Sequence, residues 1–124
     1  MVKKIGILAL QGNFVQHKKM LDLLGIDNVF IRYSYDVDKC DALVIPGGES
    51  TTMSKQIDAN NLRHALKEYS KTNSLFGTCA GMILLSSTKE SKNLRPLGIM
   101  DFTVNRNAYG RQIESFSDYL DLDF

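Results

Sequence analysis

The sequence has no tryptophan and only two cysteines, two histidines and two prolines among its 124 residues. Two cysteines and two histidines without close ligand spacing do not support a zinc site, and we predict neither a metal nor a cofactor. The apolar run at residues 5–10 is too short for a membrane span or for the core of a signal peptide. In a chain without export features, two cysteines are expected to be free thiols, so we predict a cytoplasmic protein that does not contact membranes.

The sequence also lacks an excess of either charge. It has 15 Lys and Arg against 14 Asp and Glu, and its formal net charge is +1. This balance predicts no basic face for nucleic acid and no acidic face for cations. A chain of this length, without repeats or linker-like runs, predicts a single domain over residues 1–124.

Short apolar runs alternate with helical patterns along most of the chain. They comprise predicted strands at residues 5–10, 29–31, 42–45 and 75–76 and predicted helices at residues 14–24, 62–69 and 80–85. Strands that alternate with helices predict an α/β fold, a three-layer sandwich around a mostly parallel sheet. Residues 101–105 alternate apolar and polar side chains, which predicts a further, half-exposed strand.

Polar or glycine-rich turns follow three of the predicted strands. These turns are residues 11–12, residues 46–52 and the segment around Cys79. Because ligands bind at the carboxyl ends of parallel strands, we expect the three turns to converge on one site. In residues 46–52, adjacent glycines let backbone amides point at an anionic oxygen, and Ser50, Thr51 or Thr52 can cap the next helix. The alternative is an ordinary Gly-Gly turn before a capped helix.

Cys79 lies in a Gly-x-Cys-x-Gly turn, residues 77–81, between a predicted strand and a predicted helix. This is the nucleophile-elbow pattern with sulfur in place of oxygen, and the glycines are expected because neighbouring backbone comes too close for a Cβ. A helix amino terminus favours the thiolate, and the Ala80 amide would stabilise an oxyanion. The alternative is a buried cysteine among small neighbours, which is the interpretation we favour for Cys40.

Four stretches together carry a family resemblance. They are Leu-Gln-Gly (residues 10–12), Pro-Gly-Gly-Glu-Ser-Thr-Thr-Met (46–53), Phe-Gly-Thr-Cys-Ala-Gly-Met (76–82) and Arg-Asn-Ala-Tyr-Gly-Arg-Gln (106–112). With them the chain resembles, from Lys4 to about Leu120, the PdxT/SNO family of class I glutamine amidotransferases, the glutaminase subunits of pyridoxal 5′-phosphate synthase. The resemblance implies a class I glutamine amidotransferase-like (flavodoxin-like) fold, with its C-terminal part missing from these residues.

The resemblance also implies a reaction and a set of site residues. Cys79 would attack the side-chain amide of L-glutamine, giving a γ-glutamyl thioester and ammonia, and water would then release glutamate. Ammonia would pass to a synthase barrel subunit of the PdxS/SNZ type, and no cofactor is implied. The implied residues are Gly48, Glu49, Ser50 and Arg106 for substrate binding, Gly48 and Ala80 for the oxyanion, and Gln11 and Gly47 as further candidates.

One part of the family pattern is absent from these residues. The family has a His followed two residues later by a Glu, whereas the only histidines here are His17 and His64, on predicted helices where we expect both to be exposed. We therefore expect this chain to turn over close to no glutamine. The chain is expected to be either a fragment or a natural short form, and the absence of a closing element in residues 116–124 favours the fragment. A shortened sheet should also leave an apolar edge unprotected. Two alternatives stay open, a non-catalytic remnant that binds the synthase and a PfpI-type thiol hydrolase.

Overall fold

The computed structural model describes residues 3–105, which form a four-stranded parallel sheet flanked by helices. The elements in chain order are β1 (Ile5–Leu8), α1 (Phe14–Leu23), β2 (Asn28–Ile31), a 3₁₀ helix (Ser34–Lys39), β3 (Ala42–Ile45), α2 (Ser50–Ala59), α3 (Leu62–Ser70), β4 (Ser74–Gly77) and α4 (Ala80–Leu85). The predicted α/β fold is confirmed. Arg106 and the rest of residues 106–124 lie outside the described residues.

The two faces of the sheet are covered by different helices. Phe30 contacts Phe14 of α1, with the ring centroids 5.5 Å apart, whereas Ile31 belongs to the buried core that α2, α3 and α4 share with the sheet. Successive side chains of a strand point to opposite faces, so α1 covers one face and the later helices cover the other. The members of that core include Leu8, Ile31, Leu43, Ile45, Met53, Ile57, Leu62, Leu66, Leu84 and Leu85.

The strand order β2-β1-β3-β4 brings three strand ends together. Ile7 of β1 pairs with Val44 of β3, and Ile45 of β3 pairs with Gly77 of β4, all in parallel register. In a parallel sheet the carboxyl ends of neighbouring strands lie at the same edge. The three turns singled out in the sequence follow β1, β3 and β4, so the sheet sets them side by side.

Residues 101–105 do not form the strand that their alternating pattern predicts. Their exposure does alternate, but the Phe102 N–H donates to the Met100 carbonyl at 3.0 Å and the Val104 N–H donates to the Thr88 hydroxyl at 2.9 Å. These donors are therefore used locally instead of in a strand ladder. The prediction was wrong because a period of two reports which side chains are buried and not which backbone partner is present.

β4 is an outer strand of the described sheet, and apolar side chains beside it are exposed. Phe76 is 61% exposed, Met82 43% and Met100 46%. Together with neighbours that include Phe102 they line an apolar cavity of about 350 Å³. Within residues 3–105 the expected unprotected apolar edge is thus confirmed.

No helix of this part of the chain is long and apolar enough to cross a membrane.

Candidate active site

Cys79 has a backbone conformation that L-amino acids rarely adopt, with φ +52° and ψ −114°, at the N-cap of α4. The turn is fixed on both sides: the Thr78 N–H donates to the Ile45 carbonyl at 3.2 Å, and the Gly81 N–H donates to the Thr78 carbonyl at 2.8 Å. A non-glycine residue in such a conformation costs of the order of 1–3 kcal/mol and persists only where the surroundings impose it. The Cys79 side chain is exposed, so the strained turn presents its thiol to solvent.

The two glycines that flank Cys79 are required by close backbone approaches. A Cβ on Gly81 would lie 2.0 Å from the carbonyl oxygen of Ile45, and a Cβ on Gly77 would lie 2.7 Å from the carbonyl carbon of Gly81. Both obstacles are backbone atoms that packing of α4 against the sheet holds in place. The steric reason expected for the Gly-x-Cys-x-Gly pattern is therefore confirmed.

The three turns contact one another directly. The Gln11 side-chain oxygen accepts a hydrogen bond from the Glu49 N–H at 2.8 Å. Gly12 has φ +89°, and a Cβ there would lie 2.1 Å from the carbonyl oxygen of Gly47. On its other side Gly47 approaches the turn that carries Cys79, since a Cβ on Gly47 would lie 3.2 Å from the Cβ of Cys79. The turn after β3 is thus held between the turns after β1 and β4.

A cavity of about 310 Å³ lies where the turns after β3 and β4 meet. Its lining residues are Gly48, Glu49, Ser50, Cys79, Ala80, Met82, Ile83, Val104 and Asn105. That volume lies at the small end of the range for ligand pockets. The cavity brings Cys79 together with the implied substrate and oxyanion residues Gly48 and Ala80, while Gln11 holds the turn from outside the lining.

The Glu49 carboxylate is the N-cap of α2. It accepts hydrogen bonds from the Thr51 hydroxyl, from the Thr52 N–H at 2.9 Å, from the Thr51 N–H at 3.2 Å and from the Thr52 hydroxyl at 2.9 Å. These donors, the Thr51 hydroxyl first, lower the pKa of Glu49 from 4.5 to about 2, because each favours the charged form. The expectation that Ser50, Thr51 or Thr52 caps this helix is wrong, since the longer Glu49 side chain reaches the same donors.

His17 of α1 is half-buried, and its Nε2 lies 3.4 Å from the Thr78 hydroxyl. The expectation of an exposed histidine is wrong here, because α1 lies beside the turn that carries Cys79. His64 of α3 is exposed, as expected. In the described part of the chain, no group of three or more His, Cys, Asp or Glu side chains could hold a metal ion.

Cys40 and Cys79 are both free thiols, in contrasting surroundings. Cys40 is buried in the core, with its sulfur 3.5 Å from the Tyr69 hydroxyl oxygen and 3.4 Å from the Val37 carbonyl oxygen. Burial raises the pKa of the Cys40 thiol, which keeps it protonated and unreactive. The packing interpretation of Cys40 is confirmed, and Cys79 is the accessible thiol.

Sequence reasoning missed four residues of the cavity lining. Met82 and Ile83 follow Cys79 by three and four positions on α4, so helical spacing could have placed them on the same side as the thiol. Val104 and Asn105 precede the implied substrate residue Arg106, but no local signal showed that this segment returns to the turns.

The parallel sheet, with a cysteine elbow at the carboxyl ends of its strands, has the architecture of a class I glutamine amidotransferase. The chain has a TM-score of 0.80 to a crystal structure of a glutamine amidotransferase, at 39% identity, covering 92% of this chain and 62% of that one. Residues 7–124 match the SNO glutamine amidotransferase family. The chain belongs to that family.

The curated relatives are longer than this chain. The pyridoxal 5′-phosphate synthase subunit PdxT of Thermosipho africanus is 47% identical over 120 residues, which cover 96% of this chain and 64% of the relative. The same subunit from Oenococcus oeni is 42% identical, covering 99% of this chain and 64% of the relative. The chain therefore spans slightly less than two thirds of these relatives. A peptidase E protein of Listeria monocytogenes, at 19% identity and a TM-score of 0.63, shares the fold alone.

Proposed function

We propose that this chain binds L-glutamine and that Cys79 attacks the carbon of its side-chain amide. Sulfur bonds to that carbon, the carbon–nitrogen bond breaks, and ammonia leaves carrying the proton of the thiol. Water then cleaves the γ-glutamyl thioester to give glutamate and restores the thiol. The observation that carries the proposal is the accessible Cys79 thiol on a strained elbow, beside a cavity that the glycine turn of residues 46–52 completes.

The surrounding residues have separate proposed roles. The amides of Gly48 and Ala80 stabilise the oxyanion, since the N–H after an elbow nucleophile is aimed at the developing charge. Glu49 and Ser50 bind the substrate as part of the cavity lining, and the Glu49 carboxylate also keeps the glycine turn fixed on α2. Arg106, which follows the lining residue Asn105, forms a bidentate ion pair with the substrate carboxylate.

Thiol chemistry of this kind needs a base to take the proton from sulfur and return it to ammonia. His64 is exposed on α3, and His17 contacts the Thr78 hydroxyl. We infer that these 124 residues by themselves bind glutamine but release glutamate at close to no rate. Sustained glutamate release by Met1–Phe124 would contradict this inference.

The relatives of this chain suggest its partner. Each relative is a subunit of pyridoxal 5′-phosphate synthase. This membership supports a proposal in which the chain assembles with a synthase subunit and ammonia is transferred to that subunit. We propose that any ammonia formed at Cys79 passes to a synthase barrel subunit of the PdxS type. A non-catalytic chain that only docks on the synthase is the competing function, and labelling of Cys79 separates the two.

The test is alkylation of Cys79 by the chloroketone analogue of L-glutamine, followed by mass mapping of the labelled peptide. We expect one label per chain, at Cys79, with a rate that L-glutamine slows and D-glutamine does not. Cys79→Ser should remove the label, and Cys40→Ala should leave it unchanged because Cys40 is buried in the core. Labelling that both enantiomers slow equally, or that misses Cys79, would refute glutamine binding and favour a remnant or a thiol hydrolase of other specificity.

A further inference from the structure

Val104 and Asn105 contribute one wall of the cavity and, with Thr103, belong to no helix or strand. Within residues 3–105, their hydrogen bonding consists of the donation from the Val104 N–H to the Thr88 hydroxyl oxygen at 2.9 Å. Ser87 makes two hydrogen bonds to the residues just before them: its N–H donates to the Phe102 carbonyl at 2.8 Å, and its hydroxyl donates to the Met100 carbonyl at 2.8 Å. Within residues 3–105, the hydrogen bond to Thr88 is therefore the one that holds the two lining residues in place.

The Thr88 hydroxyl is itself held by α4. Ser86, which is fully buried, donates its hydroxyl proton to the Ile83 carbonyl at 2.6 Å. Its oxygen lies 2.7 Å from the Thr88 hydroxyl oxygen. Because the single Ser86 proton is already donated, the Thr88 hydroxyl must donate to Ser86, and its oxygen is left to accept from Val104. The bonds form a one-way chain from Val104 to the carbonyl of Ile83.

Both ends of this chain lie in the cavity lining, since Val104 and Ile83 line it from different segments. Ile83 belongs to α4, the helix that begins next to Cys79. We propose that Thr88 is a positioning residue. Its hydroxyl sets the distance between the Val104–Asn105 wall and α4, and hence how tightly the cavity holds glutamine. This inference rests on the proposed function. It concerns affinity and not the reactivity of the thiol, because Thr88 does not line the cavity.

The test compares hydroxyl removal with hydroxyl retention in the full chain. Thr88→Val keeps the shape of the side chain and removes the hydroxyl, whereas Thr88→Ser keeps the hydroxyl. The readout is the rate of Cys79 labelling by the chloroketone analogue of L-glutamine, resolved into the half-saturating concentration and the limiting rate. Thr88→Val should raise the half-saturating concentration about tenfold, the scale of one lost hydrogen bond, with the limiting rate and the rate with iodoacetamide within about twofold. Thr88→Ser should stay within about twofold of the unaltered chain.

Ser87→Ala is the matched control. It removes a hydrogen bond to Met100, which precedes the Val104–Asn105 wall and does not line the cavity, so saturation should not change. An unchanged half-saturating concentration in Thr88→Val, or an equal shift in Ser87→Ala, would overturn this inference alone. If the unaltered chain shows no saturable, glutamine-protected labelling, the proposed function fails as well. Should Thr88→Val fold poorly, Thr88→Ala must produce the same shift in concentration.

Discussion

Removing the charge of Glu49 should destabilise the fold in a pH-dependent way. The carboxylate accepts four hydrogen bonds at the start of α2, from Thr51 and Thr52, and its pKa falls from 4.5 to about 2. That lowering corresponds to at most about 3.4 kcal/mol. Because Glu49 is exposed, water screens the interaction, and the range for helix N-caps indicates about 1–2 kcal/mol. We expect Glu49→Gln to lower the free energy of unfolding by about that amount at pH 7.

The sign of the pH dependence follows from the direction of the pKa change. A folded-state pKa below the unfolded value stabilises the protein above pH 4.5, and the contribution disappears as the pH falls toward 2. Urea unfolding of Glu49→Gln and of the unaltered chain should therefore give free energies that differ at pH 7 and converge between pH 4.5 and 2. Glu68→Gln, which removes an exposed pair with Lys71, is the control and should change little at any pH. A Glu49→Gln deficit that stays constant with pH would refute the capping explanation.

Two further predictions concern the backbone of the elbow. Gly81→Ala should lower the free energy of unfolding by about 3 kcal/mol, because its Cβ would lie 2.0 Å from the Ile45 carbonyl oxygen. The control is Gly98→Ala, which adds a Cβ in open space at φ +64° and should cost about 1 kcal/mol; equal losses in urea unfolding would contradict the steric argument. Cys79→Gly should be about 1 kcal/mol more stable than Cys79→Ala in thermal unfolding, because glycine tolerates φ +52°. Equal melting temperatures would show that the turn stores no strain at Cys79.

Local patterns were sufficient for the elements that position Cys79. Residues 42–45 and 80–85 were predicted with the bounds that the structure has, because a β-branched or apolar run between turn residues leaves few alternatives. The glycines around Cys79 were equally informative, since only a close backbone approach demands them at both positions. The family motifs led to the proposed substrate, which no periodicity in the chain could supply.

Contacts between distant segments could not be predicted in the same way. The contact of His17 with Thr78 and the return of Val104 to the cavity depend on which segments the sheet places together. Nothing in the residues adjacent to any of these positions encodes that placement. The same is true of residues 101–105, where the alternating pattern was present but no strand within residues 3–105 pairs with it.

The hydrogen bond between Gln11 and Glu49 has a consequence for how the protein reaches its native state. Its partners are 38 residues apart, and they meet only after β3 has paired with β1. These two strands are neighbours in the sheet, although β2 lies between them in the sequence. Pairing at such separation requires closure of a long loop, which makes it slow relative to helix formation. We therefore expect the cavity beside Cys79 to form late in folding. During refolding, the Cys79 thiol should become reactive toward general alkylating agents well before glutamine can protect it.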